Sequence, residues 1–343
     1  EINIQSVGET DIGLPLHVVT FNPDGDFNFA KIRENKAIIL INNGIHPGES
    51  DGIDASLILF RDLATGKRPA PENTVIATIP IYNIGGALNR NSTSRVNQNG
   101  PLNHGFRGNA RNYDLNRDFI KADTKNAASF AQIYHLLIPE VFVDTHVISG
   151  AAYQYTLTHR FSQHNKMGGN IGQFLSETWQ PSLESALAKE GWDITPYVNV
   201  FNRVPETGFS QFMDYPRYST GYTTLWNTLG LMVETHMLKP YSNRVSGTYA
   251  LLNSVIQITE EYKEDIQNQR MMASTRYKKG DFYPTRWRID STKVSRLYYK
   301  AYQADPLISK LTGLPRLRYD QNTPYEKEVA YYHTFIPTDS GRS

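Results

Sequence analysis

Residues 37–50 read AIILINNGIHPGES, an apolar run followed directly by a polar, glycine-containing loop. The run at 37–42 does not alternate apolar with polar residues, which is typical of a strand buried on both faces. An amphipathic pattern follows at 52–63 and stops near Gly66, as expected of a helix. This strand–loop–helix unit favours a layered α/β domain.

The same alternation of apolar strands and amphipathic helices continues over the first three quarters of the chain. Further strands are predicted at 75–82, 141–146, 153–158 and 229–234. Further helices are predicted at 127–138, at 165–191 with an interruption near Pro181, and from 246 to about 272. This order predicts a three-layer α/β/α domain with a mixed, largely parallel central sheet.

The pattern changes after about residue 275. The segments there are short, aromatic and rich in proline, such as YPTRW at 283–287 and YYHTFIP at 331–337. We therefore predict a main domain at 1–275 and a small β-rich C-terminal appendage at 276–343. The appendage has no obvious closing element, which favours a chain cut from a longer protein.

The composition excludes several classes of protein. Lys and Arg number 35 against 34 Asp and Glu, so the formal net charge is +1. A nearly neutral chain argues against a broad nucleic-acid-binding surface. The absence of cysteine rules out a disulfide scaffold, a four-cysteine zinc site and a thiol nucleophile. No apolar run in the sequence is long enough to predict a membrane span.

The loop after the first strand carries His46 and Glu49. Ligand sites in open α/β sheets lie at the carboxyl ends of strands, and a His and a Glu three apart there can face one metal ion. Zinc readily takes imidazole nitrogen and carboxylate oxygen, and catalytic zinc usually has three protein ligands. On this segment alone, a turn with an incidental His and Glu is an equally good interpretation.

A second imidazole ends the strand predicted at 141–146. His146 would emerge at the same edge of the sheet, and the period of a strand puts Asp144 on the same side. A lone histidine in this position favours a buried structural role. Together with His46 and Glu49, however, it completes a set of three ligands, and the metal site becomes the better interpretation.

Two further segments bring charged side chains to the same edge. The loop at 107–119 reads RGNARNYDLNRDF, in which Asn116 and Arg117 together can hold a carboxylate. Glu234 ends the strand predicted at 229–234, where a buried carboxyl is costly unless it is used or paired. It is therefore a candidate general base. The alternatives are that 107–119 is a solvated, charged loop and that Glu234 is paired with a neighbouring arginine.

Taken in order, the four segments resemble the zinc metallocarboxypeptidases of the M14 family. The family pattern stands here as His46-Pro-Gly-Glu49, Asp114-Leu-Asn116-Arg117, Asp144-Thr-His146 and Glu234. The resemblance covers roughly residues 37–240 and makes 1–275 a zinc peptidase catalytic domain. Because the chain lacks the disulfides of many digestive members, it indicates a remote branch.

The resemblance implies how the metal would be held. His46, Glu49 and His146 would bind one Zn²⁺ ion, and Glu234 would be the general base. Asp114 would orient His46, since a partner on the second nitrogen fixes the tautomer of a metal-binding imidazole. Additional candidates for such support are Asp118 and Asp144.

The resemblance also implies how a peptide substrate with a free C-terminus would bind. Asn116 and Arg117 would hold its terminal carboxylate, Arg107 would stabilise the oxyanion, and Tyr222 would cap the substrate. The alternatives are Arg111 and Arg95 for the arginine, and Tyr215 and Tyr218 for the tyrosine.

We accordingly expect a zinc-dependent hydrolase that removes C-terminal residues from peptides. The alternatives are a zinc-dependent deacylase or amidase acting on N-acyl amino acids or cell-wall peptides, and a non-catalytic pseudopeptidase. The other histidines, including His236, are interpreted as structural or surface residues. A degradative activity, the lack of cysteine and a first residue other than Met favour a secreted or periplasmic location.

Overall fold

The computed structural model describes residues 1–201 and 203–343. The strands are β1 (Ile2–Glu9), β2 (Pro15–Phe21), β3 (Ala37–Asn42), β4 (Thr74–Ile79), β5 (Val141–Ile148), β6 (Leu157–Phe161), β7 (Ile194–Pro196), β8 (Phe209–Ser210), β9 (Leu229–His236), β10 (Phe282–Ile289), β11 (Ser295–Ile308), β12 (Pro315–Tyr332) and β13 (Phe335–Arg342). The helices are α1 (Phe29–Asn35), α2 (Asp51–Ala64), α3 (Ile84–Leu88), α4 (Lys125–Leu137), α5 (His164–Met167), α6 (Gly169–Phe174), α7 (Gln180–Lys189), α8 (Ser219–Thr224), α9 (Tyr241–Glu261) and α10 (Lys263–Ser274). Short 3₁₀ turns lie at Leu115–Arg117 and Pro205–Thr207, and a π-helical turn lies at Leu175–Trp179.

Eight strands form the central sheet, in the order β1-β2-β4-β3-β5-β9-β6-β7. Its middle strands β4, β3, β5 and β9 are parallel. The hairpin β1–β2 closes one edge in antiparallel fashion, and β6 runs antiparallel to β9 near the other. The predicted mixed, largely parallel sheet is therefore confirmed.

Successive side chains of each strand point to opposite sides of the sheet, so a strand without polar residues presents an apolar surface on both faces. Helices cover both of these faces. Ile39 and Ile41 of β3 belong to a core with residues of α2, α7 and α9. Ile38 and Leu40 belong to a second core with residues of α1 and α4. All six residues of β3 are buried, which explains why its sequence shows no alternation.

The boundaries of several elements differ from the sequence predictions. The strand predicted at 153–158 lies at Leu157–Phe161. The helical region after it breaks at Gly168, whose φ of 62° leaves the helix, and its α-helical geometry is interrupted again near Pro181 by the π-helical turn at Leu175–Trp179. Pro181 lies just after this turn in a helix that continues from it, and proline, which has no N–H to donate to the preceding turn, accounts for the irregular hydrogen bonding there. The single helix predicted from 246 to about 272 is two helices that meet at Tyr262.

The C-terminal segment is rich in β structure. Strands β10 and β13 pair with each other, and β11 and β12 form a long hairpin that adds β8 at its edge. Tyr299, Ala301 and Val329 of this hairpin share a hydrophobic core with Tyr153 and Tyr155. The division at residue 275 remains a prediction, since these strands pack directly on residues that precede it.

None of the helices in the ranges 1–201 and 203–343 is long and apolar enough to cross a membrane.

Replacing Tyr299 with alanine tests whether the hairpin of β11 and β12 contributes to the stability of the whole protein. Tyr299 is fully buried, and we expect its removal to lower the free energy of unfolding by about 3–5 kcal/mol. The neighbouring Tyr298 is 58% exposed, so Tyr298→Ala should cost less than about 1 kcal/mol. Urea unfolding followed by circular dichroism measures both. Equal small effects would contradict a shared core.

Candidate active site

Three potential metal ligands meet at the carboxyl ends of β3 and β5. His46 and Glu49 lie on the loop between β3 and α2, and His146 lies in β5. All three side chains are buried, and one ligand atom from each lies within 4.8 Å of the other two. The loop packs so tightly that a Cβ on Gly48 would lie 2.8 Å from the carbonyl oxygen of Gly105. Glycine at position 48 therefore lets this loop approach its neighbour.

The two imidazoles are held in the same way. The Nδ1 atoms of His46 and His146 lie 3.2 and 3.1 Å from the carboxylate oxygens of Glu49. Their Nε2 atoms lie 3.0 Å from Asp114 and 2.9 Å from Asp144. Because a carboxylate engages Nε2 of each ring, Nδ1 is the nitrogen that faces the cluster and can bind a metal. Two imidazole nitrogens and one carboxylate are a donor set that suits zinc.

The supporting carboxylates are themselves well held. Burial opposes ionisation of Asp114, but the hydrogen bond with His46 and the positive charges of His46 and Arg107 outweigh it and hold its pKa well below the usual range. Asp144 is fully buried and accepts hydrogen bonds from the Ser219 hydroxyl and, at 3.3 Å, from the Asn42 side chain. Asp114 and Asp144 thus fix the orientation of the His46 and His146 rings.

Glu234 faces the same cluster from β9. Its Cα pairs in register with that of His146, and its side chain lines the cavity in front of the metal ligands. Burial raises its pKa to about 7, with the Glu49 charge adding to the rise and the charges of His146 and Arg160 opposing it. Within the described part of the chain, its carboxylate accepts no hydrogen bond. A carboxyl in this state can exchange a proton near neutral pH.

Asn116 and Arg117 lie on the 3₁₀ turn beside the cluster. The amide nitrogen of Asn116 is 3.5 Å from Nε2 of His146, and its oxygen accepts a hydrogen bond from the backbone of Ser219. The guanidinium of Arg117 stacks over the ring of Tyr218, 4.7 Å from its centroid. Both Asn116 and Arg117 line the cavity.

The three candidate arginines are placed differently. Arg107 donates to Asp114 at 2.8 Å and lies 3.4 Å from Nδ1 of His46. Arg95 donates to Glu49 at 2.8 Å, and its side chain is largely buried. Arg111 lies over the ring of Tyr113 and is not among the cavity residues. The geometry therefore leaves Arg107 and Arg95 as arginines that contact the cluster.

The structure does not bring Tyr222 to the site. Its ring packs in the hydrophobic core with Phe119 and Phe130, and its hydroxyl lies 3.2 Å from Nε2 of His135. Helix α8 turns this residue inward, and the preceding Tyr218 faces the cavity instead. Tyr222, the residue predicted to cap the substrate, is therefore not among the cavity residues, whereas the alternative Tyr218 is.

The cavity holds further residues that the sequence analysis missed. It measures about 320 Å³, and it is lined in part by Arg160, Tyr197 and Phe212. Arg160 lies in β6, all of whose residues are buried. A charged residue in a buried strand is costly unless it is used or paired, and this argument singled out Glu234. The sequence prediction ended the strand at 158, so the argument did not extend to Arg160.

His236 and the support candidate Asp118 both contact the backbone away from the metal ligands. Nε2 of His236 lies 2.9 Å from the carbonyl oxygen of Ala151, and its ring packs against Tyr153. Asp118 accepts hydrogen bonds from the backbone of Asp123 and Thr124 at the start of α4. Both contacts are structural.

Comparison with known proteins places this site in context. Residues 2–148 match the family model described as zinc carboxypeptidase, Peptidase_M14. No curated protein matches the chain in sequence.

Several solved structures share the fold. A metallo-carboxypeptidase from Burkholderia cenocepacia aligns with a TM-score of 0.55 and 15% identity over 76% of this chain and 65% of its own. The Pseudomonas aeruginosa metallo-carboxypeptidase, in complex with (2-guanidinoethylmercapto)succinic acid, aligns with a TM-score of 0.55 and 14% identity over 77% of this chain and 65% of its own. Carboxypeptidase A from Helicoverpa armigera aligns with a TM-score of 0.53 and 11% identity over 80% of this chain and 70% of its own.

The chain thus spans about 65% of the length of the two bacterial structures. At these identities the structural similarity shows a shared fold. The family model over residues 2–148 and this fold agree with the resemblance that the motifs indicate: the N-terminal part of the chain matches the zinc carboxypeptidase model, and the chain shares the fold of solved carboxypeptidases.

Proposed function

We propose that this protein is a zinc-dependent carboxypeptidase that hydrolyses the last peptide bond of a chain with a free C-terminus. One observation carries the proposal. A His₂Glu set, the carboxyl of Glu234 and the Asn116–Arg117 pair all line a single cavity. These are the groups that such a hydrolysis needs: metal ligands, a proton carrier and a carboxylate clamp.

His46, Glu49 and His146 would hold the metal. Their donor atoms converge, and their far nitrogens are already engaged by Asp114 and Asp144. When bound, zinc supplies a Lewis acid that activates water and polarises the scissile carbonyl.

Glu234 would move the protons. Its carboxylate takes a proton from the attacking water as the oxygen bonds to the carbonyl carbon, and later gives that proton to the departing amine. The pKa of Glu234, raised to about 7 by burial, supports both halves of this cycle near neutral pH. The products are a shortened peptide and one free amino acid.

The clamp and the oxyanion support would come from neighbouring loops. Asn116 and Arg117 would hold the terminal carboxylate, and the P. aeruginosa structure, whose ligand is a succinic acid derivative, is consistent with an anion-binding cavity. Arg107 is half-exposed and can reach a carbonyl oxygen, whereas Arg95 is committed to Glu49, Gln98 and the Val147 carbonyl. We therefore assign the oxyanion role to Arg107, and the cap over the substrate to Tyr218.

The proposal is tested by mass spectrometry of peptides incubated with the zinc-loaded protein. Each peptide is supplied with a free and with an amidated C-terminus, beside several N-acyl amino acids. Stepwise shortening of the free-acid peptides alone is the expected result. Release of acyl groups from intact substrates would establish a deacylase instead, and a zinc-loaded protein that changes none of these compounds would count against catalysis.

The variant Glu234→Gln should lose turnover but keep zinc. We expect kcat/KM to fall by about 10²–10⁴-fold, because the amide cannot accept the proton. Zinc content, measured by mass spectrometry of the metal, should be unchanged. The exposed Glu328→Gln is the matched control. Near-normal turnover in Glu234→Gln would remove Glu234 from the mechanism.

The variant Asp144→Asn should weaken zinc binding by about 10–100-fold, because His146 loses the carboxylate that orients it. Competition with a chelating dye measures the affinity. Asp118→Asn also alters a buried carboxylate, but one that contacts α4 and no metal ligand, so it should bind zinc normally. Equal zinc affinity in Asp144→Asn and the unmodified protein would refute the supporting role of Asp144.

A further inference from the structure

Arg160 lies at one end of the cavity, on the strand next to Glu234. Its Cα pairs with that of Met232 in β9, and Met232 and Glu234 both line the cavity. The side chain is enclosed by Met232, Thr220 and the rings of Phe212 and Tyr218, and the residue is only 4% exposed. It therefore lies deeper than the half-exposed arginines Arg107 and Arg117.

The charge of Arg160 is poorly compensated in the described structure. One terminal nitrogen contacts the Thr220 hydroxyl at 3.2 Å and the Met232 sulfur at 3.5 Å, and Nε has no hydrogen-bond partner. Among residues 1–201 and 203–343, no carboxylate oxygen lies within 4.0 Å of its guanidinium nitrogens. A buried guanidinium without a carboxylate is costly, which implies that the missing partner comes from a ligand.

The position of Arg160 relative to the clamp indicates which carboxylate that is. The guanidinium carbons of Arg117 and Arg160 lie 4.7 and 5.9 Å from the centroid of the same ring, that of Tyr218. Arg117, with Asn116, is suited to the terminal carboxylate of a peptide. A second carboxylate on the same residue would then reach the enclosed Arg160.

We propose that Arg160 selects substrates whose C-terminal residue is aspartate or glutamate, by binding its side-chain carboxylate. The inference rests on the proposed function, since it assigns the residue that is cleaved off. The guanidinium fork matches a carboxylate and disfavours a lysine or arginine side chain in the same pocket. An uncharged side chain would leave the guanidinium without its partner.

The test compares N-acetyl-Phe-Glu with N-acetyl-Phe-Gln, N-acetyl-Phe-Leu and N-acetyl-Phe-Lys. For the zinc-loaded protein, we expect kcat/KM for the Glu substrate to exceed that for the Gln substrate by roughly 10- to 100-fold, as a charge-assisted bond predicts. In Arg160→Met this preference should disappear, because the pocket becomes apolar. Arg160→Lys should retain part of it, and the exposed Arg316→Met should retain all of it.

Binding is measured separately from turnover. Calorimetric titration of the same dipeptides into Glu234→Gln, with and without Arg160→Met, gives dissociation constants that do not depend on catalysis. Tighter binding of the Glu dipeptide that vanishes with Arg160→Met supports the inference even if the unmodified protein hydrolyses nothing, a result that would overturn the proposed function alone.

Other outcomes overturn the inference. Hydrolysis of all four substrates without a preference for Glu would reject the selectivity and leave the carboxypeptidase function standing. A preference for Glu that persists unchanged in Arg160→Met would assign it to another residue. If Arg160→Met does not fold, a lowered ratio of kcat/KM for the Glu substrate to kcat/KM for the Gln substrate in Arg160→Lys supports the assignment, and an unchanged ratio refutes it.

Discussion

The carboxylate of Glu49 lies between two imidazoles, and the rest of the site is arranged around this contact. Its oxygens lie 3.2 and 3.1 Å from the facing nitrogens of His46 and His146. Asp114 and Asp144 hold the far nitrogens, so neither ring can turn without breaking a hydrogen bond. The parallel strands β3 and β5 supply the constraint behind this contact, because their carboxyl ends lie side by side.

The centre of the fold could be predicted from sequence because its strands are buried on both faces. Continuous apolar segments identify β3, β5 and β9 within a few residues. The hairpin β1–β2 escaped prediction because its first strand is largely exposed and its pattern is weak. The break between α9 and α10 at Tyr262 escaped as well, since an apolar periodicity that continues across a kink gives no local signal.

The meeting of the candidate ligands could be predicted for the same reason: strand ends in a parallel sheet lie at one edge. Side chains on irregular segments could not be placed in this way. The sequence does not reveal that α8 turns Tyr222 into the core and leaves Tyr218 facing the cavity. Arg160 was missed because the sequence prediction ended this strand at residue 158, three residues before the actual end of β6.

Glu234 and Arg160 lie on the same side of neighbouring antiparallel strands, at positions that a core would fill with apolar residues. Neither side chain has an ionic partner within salt-bridge distance among the described residues, and burial raises the pKa of Glu234 to about 7. Such departures from the local rules destabilise a free protein and are typical of functional sites. The two side chains differ in how the cost of their buried charge can be removed. Glu234 can take up a proton, but a guanidinium cannot lose one, so only an anion can compensate Arg160. A substrate that brings a carboxylate to Arg160 therefore gains affinity from a group that is costly in its absence, and the same side chain governs both binding and selectivity.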